Sequence, residues 1–509
     1  MKTTSARVLL SVHLLLAAAS LNLFAASAAS PRERLLLDSG WKFHLGNDWG
    51  IARNLAKAGS GSGPAGIWFS DASWRTVNLP HDWAVELPFD RTADSSHGFK
   101  ALGHGFPSNS VAWYRRTFEL PKADAGKRLW LEFDGVFRNC EIFVNGWFIG
   151  HQESGYGGFR YDITDVADCG GKNVVAVKVN ASEFEGWFYE GAGIYRHVWL
   201  VKTAPLAIAP DGIFVSSVFE KNIPKGPAGI DIRTTVINVQ TNRVVGSVSY
   251  EIIGPDGKGV KLFDSHSPIS AYVYDSPMSG DISANGPRVF GDNVTMKSYQ
   301  LWSPENPKLY TLITTLKVDS KVVDRQETEF GIRTVGFDKD KGFLLNGQPY
   351  KIKGTCNHQD HAGVGAALPD ALQYFRVQKL KEMGCNAYRT SHNPPTPELL
   401  EACDRLGLLV LDENRLVGSD PLHLKWFEEF IRRDRNHPSV FAWSLGNEEW
   451  NAQGTAEGQT VIRTMQNLAR LLDPTRLCTV NVNGSYGETG FFAVIDVKGF
   501  SYNIGSMDA

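Results

Sequence analysis

The chain has 509 residues, 11 % of them aromatic, and a formal net charge of −3 at pH 7. This length allows two to four domains, and the weak negative charge argues against nucleic acid as the main partner. The six cysteines form no CxxC pair and no metal-ligand spacing, which favours free thiols and leaves a Cys140–Cys169 disulfide open.

The N-terminal segment has the pattern of an export signal. Two basic residues precede an apolar run at residues 8–19, and Ala26-Ser27-Ala28 has the small-x-small form that signal peptidase accepts. We therefore expect a signal peptide at residues 1–28 and export to the periplasm or the extracellular space. An uncleaved membrane anchor is the alternative. After cleavage we expect no stable membrane span.

Residues 29–202 have the pattern of a β-sandwich, with short strands separated by turn residues. In LWLEFD, at 129–134, apolar and polar residues alternate as in a half-buried strand. Asn145-Gly146 is a hairpin-turn signal. Strands are predicted at residues 111–120, 129–134, 140–144, 159–163 and 174–179.

Residues 203–335 continue with strands and contain no long helical pattern. Their number suits an immunoglobulin-like β-sandwich. Strands are predicted at residues 231–239, 247–253 and 309–318.

From residue 336 to 509 the pattern changes to alternating strands and helices. Apolar strands that alternate with helices of ten or more residues predict a parallel sheet, here an incomplete (β/α)₈ TIM barrel of about six strands. The predicted strands are 350–354, 386–390, 408–412, 440–445, 477–482 and 494–499. The predicted helices are 370–383, 397–406, 423–434 and 456–472.

Four successive strands of this region end in polar residues. In such barrels the catalytic groups lie at the C-terminal ends of the strands, so four polar ends on one face predict a functional site. These ends are Asn357-His358-Gln359-Asp360-His361, Arg389-Thr390-Ser391-His392-Asn393, Asp412-Glu413-Asn414-Arg415 and Asn447-Glu448-Glu449.

The mixture of amides, histidines and carboxylates suits sugar binding. The three histidines also suggest a metal site, but no strand end combines His and carboxylate at a recognised ligand spacing. A sugar pocket needs an aromatic wall as well. Trp443, Trp450 and Tyr388 are the candidates for it, and each of them could instead belong to the core.

Two long motifs in the barrel region resemble glycoside hydrolase family 2, the group of β-galactosidases, β-glucuronidases and β-mannosidases. They are DRNHPSVFAWSLGNE at 434–448 and NAYRTSHNP at 386–394, which runs on to CDRLGL at 403–408. One departure is Asn393, where the family more often has Tyr. YRRTF at 114–118 and GIYR at 193–196 resemble the family's sugar-binding jelly roll. The resemblance covers about residues 35–509.

The resemblance implies roles for individual residues. Glu448 corresponds to the general acid/base, which protonates the leaving oxygen and then deprotonates the attacking water. Asn447 would hydrogen-bond the sugar 2-hydroxyl. The remaining positions expected to contact substrate or to support the nucleophile are His358, His392, Arg389, Trp443 and Tyr502.

The family's nucleophile lies on strand seven of the barrel, whereas our strand count reaches six. We therefore expect the nucleophile beyond Ala509 and a C-terminally truncated enzyme with little or no activity. An inverting pair that uses Asp412, Glu413 or Asp496 is the alternative.

The sequence thus predicts a retaining exo-β-glycosidase, with β-galactosides as the favoured carbohydrate substrate. β-Glucuronidase, β-mannosidase and a non-catalytic carbohydrate-binding protein remain alternatives, and oligomer formation is left open. We expect no cofactor. The family's magnesium ligands would fall near Val417 and Ser419, and neither side chain suits Mg²⁺.

Overall fold

The computed structural model describes residues 31–49, 63–240, 244–262, 270–273, 288–503 and 505. The predicted signal peptide lies outside these residues. Within them, every helix is too short or too polar to cross a bilayer.

The N-terminal part is a sandwich of two antiparallel sheets. Their strand orders are β1-β10-β5-β8 and β3-β2-β4-β9-β6-β7. Large apolar side chains such as Trp41, Tyr114 and Leu131 are buried in the core that the sheets share. The elements are β1 (Glu33–Leu36), β2 (Trp41–Leu45), β3 (Arg75–Val77), α1 (Pro107–Ser110), β4 (Val111–Glu119), β5 (Arg128–Phe133), β6 (Cys140–Val144), β7 (Trp147–Gln152), β8 (Phe159–Asp162), β9 (Lys172–Asn180) and β10 (Val198–Thr203).

The predicted hairpin at Asn145-Gly146 is confirmed. Both residues have positive φ, 50° and 83°, which is the geometry of the two-residue turn that Asn-Gly favours. The disulfide alternative is wrong, because Cys140 and Cys169 are both free thiols. Cys140 instead packs in the sandwich core.

The second part is a smaller antiparallel sandwich, as predicted. Its sheets have the orders β11-β12-β15 and β14-β13-β16-β17. Ile230, Ile252 and Leu312 are buried between them. The strands are β11 (Leu206–Val218), β12 (Ala228–Asn238), β13 (Val244–Ile253), β14 (Ser270–Val273), β15 (Arg288–Met296), β16 (Tyr310–Val318) and β17 (Lys321–Phe330).

A short antiparallel sheet leads into the barrel. It comprises β18 (Val335–Asp338), β19 (Gly342–Leu345) and β20 (Gln348–Pro349). The prediction of a barrel strand at residues 350–354 is wrong by almost its full length. The amide of Tyr350 donates to the carbonyl of Phe343 at 2.9 Å, so this segment still belongs to the short sheet.

The third part is a partial (β/α) barrel of six parallel strands, as predicted. The strands are hydrogen-bonded in chain order from β21 to β26. The elements are β21 (Gly354–Asn357), α2 (Asp370–Glu382), β22 (Ala387–Thr390), α3 (Pro397–Leu406), β23 (Leu409–Glu413), α4 (Pro421–Asp434), β24 (Val440–Asn447), α5 (Ala456–Leu472), β25 (Leu477–Val482) and β26 (Val497–Phe500).

The helix boundaries follow from capping residues that the sequence displays. Thr396 caps α3 by accepting from the amide of Leu399, and Thr455 caps α5 in the same way. Gly407 ends α3 at φ 80°. A Cβ there would lie 2.3 Å from the carbonyl oxygen of Pro304, so only glycine fits this end.

The first sandwich packs directly on the barrel. Arg196 is fully buried, and its guanidinium donates to the carbonyl of Pro394 at 2.8 Å and to the side chain of Gln359 at 3.1 Å. Asp82 accepts from the amide of Ala366 at 2.9 Å. These contacts place the loop between β9 and β10, residues 181–197, beside the C-terminal ends of β21 and β22. The domain boundaries expected from the sequence stay a prediction.

Candidate active site

Glu413, the last residue of β23, holds together side chains from the two neighbouring strands, β22 and β24. Arg389 Nε donates to Oε2 at 2.7 Å, Ser444 Oγ donates to the same oxygen at 2.8 Å, and His392 Nδ1 lies 2.5 Å from Oε1. Burial alone would raise the pKa of Glu413, but Arg389 and His392 hold it below its usual value. Glu413 is therefore an ionised carboxylate whose two oxygens are both in use.

Asn447, the last residue of β24, presents a free amide donor. Its Oδ1 accepts from Arg389 Nη2 at 2.6 Å. Because guanidinium can only donate, this bond fixes which end of the amide is oxygen. Asn447 is buried, and its Nδ2 has no hydrogen-bond partner in the described part of the chain. Buried polar groups are normally paired, so this nitrogen is available to donate to a ligand.

Glu448 follows in a sharp turn. Its φ is 55°, a conformation that is uncommon for residues other than glycine and that clusters at functional sites. Its amide donates to the carbonyl of Asn481 at 2.8 Å, and Asn483 Nδ2 donates to Oε2 at 3.3 Å. The side chain is half-buried, so the carboxyl group is held in place and remains accessible to a ligand.

His358 and His392 lie side by side at the ends of β21 and β22. Their ring centroids are 5.5 Å apart. Burial and the nearby His392 lower the pKa of His358, so its imidazole is neutral near pH 7. His358 Nδ1 is buried and has no partner among the described residues. The sequence-predicted residues His358, His392, Arg389 and Asn447 thus form one continuous polar surface.

Two aromatic residues of the first sandwich complete this surface, and the sequence interpretation missed both. Phe188 lies with its ring 4.5 Å from that of His358, and the ring of Trp187 lies 5.6 Å from that of His392. Phe188 is buried, whereas Trp187 is 51 % exposed. The run GWFYEG at 186–191, just before the GIYR motif, was the signal that could have revealed them.

Family profiles match successive parts of the chain. "Glycosyl hydrolases family 2, sugar binding domain" matches residues 62–204, "Glycosyl hydrolases family 2" matches residues 211–333, and "Glycosyl hydrolases family 2, TIM barrel domain" matches residues 338–423 and 418–503. The chain belongs to glycoside hydrolase family 2.

Curated relatives in this family carry two activities. Beta-galactosidase BoGH2A of Bacteroides ovatus is 37 % identical over 524 residues, which cover 94 % of this chain and 57 % of that protein. A putative beta-glucuronidase of Formosa agariphila is 35 % identical, over 80 % of this chain and 37 % of its own length. The chain therefore spans roughly half the length of the curated relatives it matches.

Solved structures of family 2 proteins have the same fold. A glycosyl hydrolase family 2 member from Bacteroides cellulosilyticus superimposes with a TM-score of 0.81 at 31 % identity, over 92 % of this chain and 58 % of that one. A beta-glycosidase from Bacteroides vulgatus gives 0.77 at 33 % identity, over 94 % of this chain and 57 % of that one.

Trp443 is a core residue in this family 2 chain, and its prediction as a substrate contact is wrong. It has no exposed surface. Its indole Nε1 donates to Asp473 Oδ2 at 3.0 Å, and its ring packs edge-on against Phe430 of α4. Side chains alternate along a strand, so Trp443 faces the helices while Ser444 faces Glu413.

The other aromatic candidates occupy different environments. Tyr388 is buried in the same core as Trp443, so it supplies no sugar-binding wall. Trp450 is strongly exposed, two residues after Glu448. Tyr502, just after β26, is 88 % exposed with φ 63°, and its role beside a nucleophile stays a prediction.

One cluster with metal-ligand chemistry lies at the sandwich–barrel contact. Ligand atoms of His197, Asp370 and Glu398 lie within 4.8 Å of one another. His197 Nδ1 is 2.5 Å from Asp38 Oδ2 and its Nε2 is 2.9 Å from Asp370 Oδ1. Burial alone would lower the pKa of His197, but Asp38 and Glu398 raise it to about 9. The protonated ring satisfies these carboxylates, so the cluster is an ion-pair network between domains.

Proposed function

We propose that this chain carries the sugar-binding and acid/base part of a retaining exo-β-glycosidase that releases terminal β-galactose. The observation that carries the proposal is the pair at the end of β24. The unpartnered Nδ2 of Asn447 stands next to the accessible carboxyl group of Glu448, on the surface that Arg389, Glu413 and His392 hold in place.

Each residue of this surface has a role in the proposed reaction. Glu448 protonates the glycosidic oxygen as the bond breaks and later removes a proton from the attacking water. Asn447 Nδ2 donates to the sugar 2-hydroxyl, an interaction that strengthens in the transition state. Arg389 orients Asn447, and the imidazoles of His358 and His392 bind the remaining hydroxyl groups.

A retaining mechanism needs a second carboxylate about 5–5.5 Å from the acid/base. Glu413 does not suit this role, because both its oxygens are engaged by Arg389, His392 and Ser444. Asp412 has no exposed surface, and burial together with Asp434 raises its pKa far above the usual value. We therefore assign neither carboxylate as the nucleophile and place the nucleophile outside the described residues.

The curated relatives of the chain bear on the choice between substrates. A beta-galactosidase matches 94 % of this chain at 37 % identity, which favours β-galactosides. A putative beta-glucuronidase of Formosa agariphila and a beta-glucuronidase of Bacteroides fragilis also match, at 35 % and 28 % identity. β-Glucuronides are therefore the second candidate substrate.

A panel of aryl β-glycosides tests the proposal on the full-length enzyme. We expect kcat/KM for the galactoside to exceed that for the glucuronide and the mannoside at least about tenfold. Glu448→Gln should lower kcat/KM by about 10²–10⁴, whereas Glu457→Gln, an exposed position at the start of α5, should leave it unchanged. Equal rates on all substrates, or a faster glucuronide, would overturn the galactoside assignment.

Export of the protein is part of the proposal and rests on residues 1–28. Their basic start, apolar run and Ala26-Ser27-Ala28 have the form of a cleaved signal peptide. N-terminal sequencing of the mature protein should begin close to residue 29. A mature protein that retains Met1 in the cytoplasm would refute export.

A further inference from the structure

The 181–197 loop carries an aromatic ring that the proposed reaction does not use. Trp187 lies beside His392 with an angle of 34° between the ring planes, and half of its surface is open to solvent. Its neighbour Phe188 is buried against His358. Fully burying an aromatic side chain is favourable, so a large ring left half-exposed next to a polar pocket calls for a ligand.

Two buried glutamates anchor the loop on either side of Trp187. Glu190 Oε1 accepts from Tyr156 Oη at 2.6 Å and from the amide of Glu185 at 3.0 Å. The Glu185 carboxylate in turn accepts from Arg138 Nε at 2.9 Å and from the amide of Gly155 at 2.7 Å. The exposed ring of Trp187 therefore stands on a loop fixed by buried polar contacts at both ends.

The barrel holds the same loop from the other side. Arg415, two residues after β23, donates from Nε to the carbonyl of Glu185 at 3.0 Å. The centre of its guanidinium lies 5.3 Å from the centre of the Trp187 ring, within the range of a cation–π contact. Contacts from both domains thus fix the position of Trp187. A ligand-binding group requires such precise positioning.

We propose that Trp187 is the stacking platform for the terminal sugar and a determinant of substrate specificity. This inference rests on the proposed glycosidase function. With the hydroxyl edge of the pyranoside directed to Asn447, its apolar face would lie against the exposed part of the indole. A galactopyranoside has an axial 4-hydroxyl group, so the hydrogens on C3, C4 and C5 form one apolar face that suits an aromatic ring.

The platform predicts a preference among sugars. A glucuronide has an equatorial 4-hydroxyl group and a carboxylate on C5, so its corresponding face is less continuous and a charge lies near its edge. The indole carries no positive charge to balance that carboxylate. Removing Trp187 should therefore weaken galactoside binding more than glucuronide binding.

The test measures binding of isopropyl β-thiogalactoside, which is not hydrolysed, to the full-length enzyme by titration calorimetry and tryptophan fluorescence. We expect Trp187→Ala to raise the dissociation constant at least about tenfold and to lower the galactoside-to-glucuronide ratio of kcat/KM. Trp68→Ala removes a tryptophan of the same sandwich that is 92 % exposed, and it should change neither quantity.

Trp187→Phe separates stacking from folding. It keeps an aromatic ring on the loop, so the thermal midpoint should stay near that of the wild type, and the dissociation constant should rise less than in Trp187→Ala. If folded Trp187→Ala binds the galactoside like the wild type, the platform is refuted. If the wild-type enzyme turns over no β-galactoside, the proposed function fails and the platform with it.

Discussion

The side-chain oxygen of Asn447 accepts a hydrogen bond of 2.6 Å from Arg389 Nη2, and this contact leaves the amide nitrogen of Asn447 free. Arg389 is itself fixed by Glu413 at 2.7 Å. A buried carboxylate thus orients a guanidinium, the guanidinium orients an amide, and the amide directs a donor toward the proposed sugar site next to Glu448.

Asn447→Ala should remove a donor that acts mainly in the transition state. We expect kcat/KM for an aryl β-galactoside to fall by about 10²–10³, the usual cost of losing one preorganised donor, with most of the loss in kcat. Asn451→Ala changes an exposed asparagine four residues away and is the matched control. A loss confined to KM would mean that Asn447 binds substrate and transition state equally.

Glu413→Gln should destabilise the barrel. It leaves the charge of Arg389 buried without its partner, which costs about 3–5 kcal/mol in comparable buried pairs. Glu329→Gln breaks the exposed Glu329–Arg405 ion pair and should cost less than about 1 kcal/mol. Denaturant unfolding of both variants measures the difference. Equal midpoints would contradict a structural role for the Glu413 charge.

The ion-pair network of His197 should make stability depend on pH. Its pKa of about 9 lies above the ordinary value of 6.5, so the protonated ring stabilises the folded state fully below pH 6.5. That contribution, about 2 kcal/mol after allowance for solvent screening, is lost as the pH rises from 6.5 through 9.

The measurement is the unfolding free energy of the wild type and His197→Gln from pH 6 to pH 10. The groups that face the ring are Asp38, Asp370 and Glu398, so the difference between the two proteins should shrink as the pH rises. His104→Gln, at an exposed position, should keep the wild-type pH profile. A constant difference between the wild type and His197→Gln would show that the charge of His197 contributes nothing.

Glu190 should produce a second pH effect, in the loop that carries Trp187. Burial, with the nearby Glu185, raises its pKa from 4.5 to about 8. The folded state therefore retains a proton that the unfolded chain has lost, and stability falls as the pH rises from 4.5 through 8. Glu190→Gln removes the charge at nearly constant size and should stabilise the protein above pH 8, on the order of 1–2 kcal/mol.

Thermal unfolding at pH 5 and pH 9 checks this prediction. Glu190→Gln and the wild type should melt together at pH 5 and diverge at pH 9, with the variant higher. Tyr156→Phe deletes the hydroxyl group that donates to Glu190, and it should instead destabilise the protein at both pH values by about 1–2 kcal/mol. A lower midpoint for Glu190→Gln at pH 9 would show that the carboxylate is ionised and needed there.

The aromatic wall of the proposed sugar site shows where sequence reasoning failed. β24 is buried on both faces, so its apolar pattern does not tell which side chains point into the barrel. The sequence pattern around Trp443 therefore fits a residue of the sugar-site wall and a residue of the hydrophobic core equally well. The aromatic residues that do line the site, Trp187 and Phe188, lie more than 200 positions before His392, and no local pattern links them to it.

The start of the barrel shows a second limit. The stretch YKIKG at 350–354 has the alternation of a strand, but Tyr350 pairs with Phe343 of the preceding sheet. β21 begins only at Gly354. Residues 350–354 have the same tendency to form a strand whichever of the two sheets they pair with. Only the packing of the two sheets therefore decides where one ends and the other begins.

The sequence by itself determined the order of sandwich, sandwich and parallel barrel, the ends of helices α3 and α5, and the polar strand ends that carry Asn447 and Glu448. Residue periodicity, capping and turn chemistry are local, so they are visible in the chain. The tertiary structure alone decided that Glu413 and Arg389 orient Asn447, and that a loop of the first sandwich brings Trp187 to the barrel. These contacts join distant segments, and they exist only because two domains pack against each other.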